Sequence, residues 1–178
     1  MITFLQRIFG YDKTSDKSSG ALSPQLIYPA EFASENPPDW IIEFEGDLLP
    51  RGGHYSTRIK LWGGERGEAI VVVPGSSDGT KIKLNTSLHA QEIDLLNDIF
   101  ATNAPSSLVS VESGGVDGMP IRVALYRREP ALQIEATCNL FEWMCIDASP
   151  PLVAKIGKAM WDIALRTDTQ YRVKESVE

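Results

Sequence analysis

Histidine and cysteine are scarce in this chain, with two of each among 178 residues. Cys138 and Cys145 have no histidine beside them, a spacing that fits no zinc module, so no metal site is expected. Two thiols make no disulfide framework, and both read as buried free thiols. Cys138 falls on the apolar side of a strand-like run, where a thiol is expected to be unreactive. Positive charge is in deficit as well: 17 Lys and Arg stand against 24 Asp and Glu, a net charge of −7. Nucleic-acid grooves bind by clustering Lys and Arg, whereas the basic residues here are scattered, so no nucleic-acid partner is expected. The acidic balance serves solubility and would also suit a basic partner. No apolar run approaches the roughly 20 residues of a membrane span. The opening "MITFLQRIFG" lacks a basic n-region, a sustained apolar core and a small-residue cleavage site, so a cytoplasmic protein is expected. What the chain does have is apolar weight, 43% of its residues, enough for a sizeable core and too much for wholesale disorder.

Ile2, Leu5, Ile8 and Phe9 recur on one side of a helix, which makes residues 1–10 a short amphipathic segment. Residues 11–27 are polar and Gly-punctuated and read as a flexible linker. A single domain is expected over 28–168, with a polar tail over 169–178. Within it, Trp40 to Glu45 and Tyr55 to Trp62 alternate with period two, as half-buried strands do. Ala69 to Val73 is continuously apolar and predicts a strand covered on both faces. Lys81 to Leu84 predicts a short strand with lysines outward. Ser87 predicts the N-cap of a helix reaching about Ala101, with Ile93, Leu96 and Phe100 as its buried stripe and Leu95 and Ile99 beside it.

A strand near Leu108 to Val111 is expected next. Ile121 to Arg128 and Ala131 to Cys138 then predict a hairpin about Glu129-Pro130. Its register pairs Leu125 with Ile134, Val123 with Ala136 and Ile121 with Cys138 on the apolar face. Ser149-Pro150-Pro151 predicts the last helix, with serine as N-cap and proline at the first helical position. Leu152, Ile156, Ala159 and Ile163 follow at helical spacing, Lys158, Asp162 and Arg166 are set for (i, i+4) ion pairs, and Gly157 points to close packing on the sheet. This order of elements predicts an α+β fold: a single antiparallel sheet of about five to seven strands packed by two main helices.

Chemistry-bearing motifs are few. Gly75-Ser76-Ser77-Asp78-Gly79 matches the G-x-S-x-G of a nucleophile elbow, which needs a helix directly after the serine. Here "TKIKL" follows, alternating as a strand does, and no histidine lies far enough downstream to complete a triad. Asp78-Gly79 is therefore expected to be a hairpin turn. The glycines of "SGGVDGMPI" are not followed by Gly-Lys-Ser/Thr or a helix, so no phosphate loop is expected. Arg51 and His54, in "LPRGGHYS", are the candidate ligand-binding pair, suited to a carboxylate or phosphate. His89 is expected to be structural. Glu43, Glu45 and Asp47 form an acidic stripe that could serve glycoside chemistry or bind a cation, and that a solvated strand edge explains equally well. Arg122, Tyr126 and Arg128 share the polar face of the hairpin, and Trp143 follows it beside Phe141.

No catalytic residue and no cofactor are expected. The pattern points to a non-catalytic protein-binding module, of the bacterial immunity, inhibitor or adaptor kind, with Glu43, Glu45, Arg122, Tyr126, Arg128 and Trp143 as partner-binding candidates. The alternatives are a small enzyme or ligand-binding domain using Arg51 and His54, and a peripheral membrane protein using residues 1–10.

Overall fold

The period-two alternation resolves into one sheet whose inner face lies under two helices. The computed structural model describes residues 28–47, 53–75, 80–112, 118–144 and 149–176. Four strands form a meander: β1 (Trp40–Asp47), β2 (His54–Trp62), β3 (Arg66–Pro74) and β4 (Lys81–Ser87). Helix α1 (Ala90–Thr102) follows, then β5 (Pro120–Arg127) and β6 (Leu132–Asn139), the short α2 (Leu140–Met144) and the long α3 (Leu152–Glu175). The order across the sheet is β4-β3-β2-β1-β5-β6, every pairing antiparallel. This is the α+β architecture expected. The hairpin register agrees with the expected one, including Leu125↔Ile134, Val123↔Ala136 and Ile121↔Cys138.

Inward side chains of the sheet, among them Ile42, Phe44, Ile59, Val71, Val123 and Leu125, pack against Leu96 of α1 and Ile156, Met160 and Ile163 of α3. Gly157 faces β5, where a β-carbon would run into Ile121 Cδ1, so its lack of a side chain lets α3 settle onto the sheet. Arg166 clasps the two helices together by donating to Glu92 on α1 at 2.7 Å. The expected pairing of Arg166 with Asp162 yields to this contact, while Lys158 and Asp162 do pair, at 2.6 Å. No helix among the described residues is long and apolar enough to cross a membrane.

Several local expectations are corrected. Ser87 is the last residue of β4, paired with Glu68, and the N-cap of α1 is His89, whose backbone N–H donates to Glu92 Oε2 at 2.8 Å. Helix α3 starts two residues later than Ser149 as N-cap implies, with Pro151 as its N-cap. Pro150 precedes a proline and is barred from helical geometry, which pushes the start along the chain. The stretch expected as a polar tail continues α3 to Glu175, and Asp168, directly before it, is fully buried. The Leu108–Val111 strand is absent: Val111 N–H donates to Thr137 O at 2.9 Å, and no ladder develops beyond it. In β3, Ala69, Val71 and Val73 are buried while Ile70 and Val72 are half-buried, so only one face is fully covered.

Candidate functional site

Residues 76–79, Ser77 included, lie outside the described residues, but their flanks decide what kind of loop this is. Pro74 pairs with Lys81, Gly75 N–H donates to Thr80 O at 2.8 Å, and a strand starts at Lys81. Among the described residues a strand follows, and not the helix that a nucleophile elbow requires.

The outer face of the sheet collects most of the polar candidates. Glu43, Glu45 and Asp47 run along β1, which β2 and β5 flank on both sides, so the stripe is central and the strand-edge reading is corrected. Register sets a basic group opposite each acid. Arg58 donates to Glu43, Arg122 lies 3.9 Å from Glu45, and His54 Nδ1 is 3.2 Å from Asp47. Glu31, on a 3₁₀ turn at Ala30–Ala33, reaches Arg58 at 3.0 Å and Lys60 at 3.6 Å. Tyr126 donates to Glu43 Oε2 at 3.2 Å, and Arg128 pairs with Asp39 at 3.1 Å. Sequence periodicity could not reveal the part of Glu31, because it sits in a loop segment laid across the sheet.

Burial gives these pairings electrostatic weight. Burial and the adjacent Glu43 carboxylate push the Tyr126 phenol up to about 12. Arg122 is held above its ordinary value by its hydrogen bond to Glu135, against the pull of burial. Burial would raise the Glu31 carboxyl, but a backbone hydrogen bond and the charges of Arg58 and Lys60 outweigh it and hold the group low. Glu31, Glu43 and Glu45 each have an arginine partner within the chain, so a ligand there would first have to break existing pairs.

The Tyr126 value carries a pH prediction. A phenol with a folded pKa above its unfolded 10 stabilises the fold in its neutral form. That contribution is complete below pH 10 and is lost as pH rises through 12. Urea unfolding at stepped pH is expected to show wild type and Tyr126→Phe converging over this window; parallel curves would contradict the assignment.

Of the proposed ligand-binding pair, Arg51 lies outside the described residues, and His54 is engaged with Asp47. His89 caps a helix. Cys138 is a buried free thiol pushed up to about 11 by burial and by Glu142, consistent with an inert role; Cys145 lies outside the described residues.

Trp143 sits apart from the other candidates, in the helical layer. Leu95 and Ile99 of α1, Leu140 and Trp143 of α2, and Ala154 and Ala159 of α3 line a groove of about 410 Å³. The groove exists because the apolar arc of α1 is wider than the sheet can cover. Leu96 is turned wholly into the core, which leaves Leu95 46% exposed. Small alanines on the facing side of α3 leave the gap open. Phe141, next to Leu140 in sequence, is also 46% exposed, and the Trp143 indole N–H is buried with no acceptor among the described residues. The cations at the rim are occupied, Lys155 with Asn103 and Lys158 with Asp162. Leu95 was legible in the sequence only as a residue beside the buried stripe, and the groove it borders depends on how α1 and α3 meet.

No protein-family model matches the chain, and no curated protein matches it. The geometry itself defines the class: a two-layer α+β domain with a charge-paired sheet face and an apolar groove in its helical layer.

Proposed function

We propose that this protein is a non-catalytic protein-binding module, of the adaptor or bacterial immunity and inhibitor kind, that grips an apolar segment of its partner in the groove between α1, α2 and α3. One observation carries the reading: Leu95, 46% exposed, lines with Ile99, Leu140 and Trp143 an apolar groove in the helical layer. An exposed apolar residue alone means little, but one that lines an apolar concavity marks a surface suited to apolar side chains. Tryptophan in a desolvated pocket is also the residue type most often found to anchor an interface. The outer-face candidates are already paired within the chain and take a secondary part, steering a basic partner through the net acidic charge.

The reading is tested by selecting peptides from a displayed random library against the folded protein and mapping them by NMR. Selected peptides are expected to shift the Leu95, Ile99 and Trp143 resonances, and Trp143→Ala or Leu95→Glu is expected to weaken them by about 30-fold or more. Peptides that bind elsewhere, or a selection yielding none, would remove the basis of the reading.

A further inference from the structure

The two edges of the sheet differ in what covers them. At β6, Val111 N–H donates to Thr137 O at 2.9 Å and Thr137 N–H donates to Ser110 Oγ at 3.1 Å, so the chain before β5 occupies part of that edge. Among the described residues, nothing pairs with the outer side of β4. We propose that the free edge of β4 is a second binding surface, separate from the helical groove. It takes an extended partner segment of alternating acidic and apolar residues as an added strand.

Register fixes which groups this edge offers. Gly75 N–H donates to Thr80 O at 2.8 Å and Leu88 N–H donates to Gly67 O at 2.9 Å, so the even-numbered residues of β4 bond to β3. The backbone groups of Lys81, Lys83, Asn85 and Ser87 therefore point away from the sheet. Of these, Ser87 O accepts from Thr86 Oγ1 at 3.2 Å. The same four side chains are exposed, while Ile82 and Leu84 are half-buried against the core. A strand paired here would set one row of side chains directly opposite Lys81 and Lys83, with Cβ atoms about 5 Å apart. Its alternate side chains would lie beside Ile82 and Leu84. Beyond them the outer face dips into a depression of about 270 Å³, bounded by Lys60, Glu68, Ile70 and Asn85, with room for a further side chain.

Charge selects the occupant. Arg58, Lys60 and Arg122 have acidic partners within the chain, whereas Lys81 and Lys83 have none among the described residues. Lysines on an edge strand keep like edges apart, and two copies of β4 side by side would crowd their lysines together. An acidic strand turns that repulsion into attraction. The net charge of −7 opposes such a partner only weakly, because charges more than about 8 Å away are largely screened at physiological salt.

The test titrates the full-length protein with a peptide alternating glutamate and valine over about nine residues, a strand's length, and follows amide exchange by NMR. Bound peptide is expected to slow exchange of the Lys83 and Asn85 amides about tenfold or more, and that of Ile82 and Leu84, already bonded to β3, far less. A lysine–valine peptide is expected to bind about tenfold more weakly, and Lys81→Glu/Lys83→Glu is expected to reverse that order. Asn85→Pro keeps both lysines and the bonds to β3 but removes an outward N–H, and is expected to weaken the glutamate peptide about tenfold. Undiminished binding by that variant would reduce the contact to ion pairing and overturn strand addition. Absence of protection at Lys83 and Asn85 would overturn the proposal outright. Shifts confined to Leu95 and Ile99 would place the peptide in the groove and overturn it too, leaving the groove reading intact. Protection that rises with protein concentration in the absence of peptide would assign the edge to a second copy, with the same result.

Discussion

Phe44→Ala is expected to cost about 3–5 kcal/mol of unfolding free energy, among the largest losses a single truncation can produce in this core. Phe44 sits on β1 in the middle of the sheet, fully buried, opposite Thr57 on β2 and Val123 on β5. Removing the ring sacrifices its transfer free energy and leaves a cavity. The surroundings cannot collapse into it, because strands pair on both sides of β1 and helices cover the inner face. Phe44→Leu, which keeps most of the volume, is expected to lose less than half as much. Urea unfolding of the three proteins checks this ordering, and a Phe44→Ala loss below about 1 kcal/mol would mean the core is not packed as described.

Asp168→Ala is expected to follow, at about 3 kcal/mol. Its carboxylate is fully buried, accepting from Arg172 Nε at 2.8 Å and lying 3.4 Å from the Tyr55 hydroxyl. Arg172 in turn donates to Pro74 O at 2.9 Å, tying the end of β3 to the last turns of α3. Alanine at 168 takes the carboxylate from the half-buried Arg172 guanidinium and one contact from the buried Tyr55 hydroxyl. Arg172 remains partly exposed and can turn toward water, which keeps the loss below that of a fully enclosed pair. A double-mutant cycle with Arg172→Ala is expected to give a double variant more stable than the sum of the single losses predicts. Strict additivity would show that the two side chains do not act as a unit.

Asp168 also marks how far the sequence could be read. The alternation in β1 and β2 and the hairpin register were legible because a strand's two faces differ in polarity and a one-residue slip would reverse them. The same logic failed at the end of α3, where Thr167, Asp168 and Arg172 look like solvated tail. Polar residues are buried when they find partners, and those partners, Tyr55 and Pro74, lie far away in the sequence. The acidic stripe was recognisable as a stripe but not as the middle of the sheet, since only the return of β5 beside β1 decides that. Of the binding candidates, the periodicity of the hairpin placed Arg122 and Tyr126 on one face correctly. It could not reveal that each already has an acidic partner within the chain. Trp143 lay beyond any periodic element, so its position beside Leu95 emerges only from the packing of three helices.

The order of strands has a kinetic side. β1 to β4 are consecutive and β5 to β6 are consecutive, so both groups can assemble from neighbouring chain. The contact that joins them, Tyr126 against Glu43, spans 83 positions. Closing that loop carries an entropic penalty with no reward until the two strands meet. The centre of the sheet is the seam between strands far apart in sequence, and a chain in which it has not closed offers β1 as an open edge to other strands.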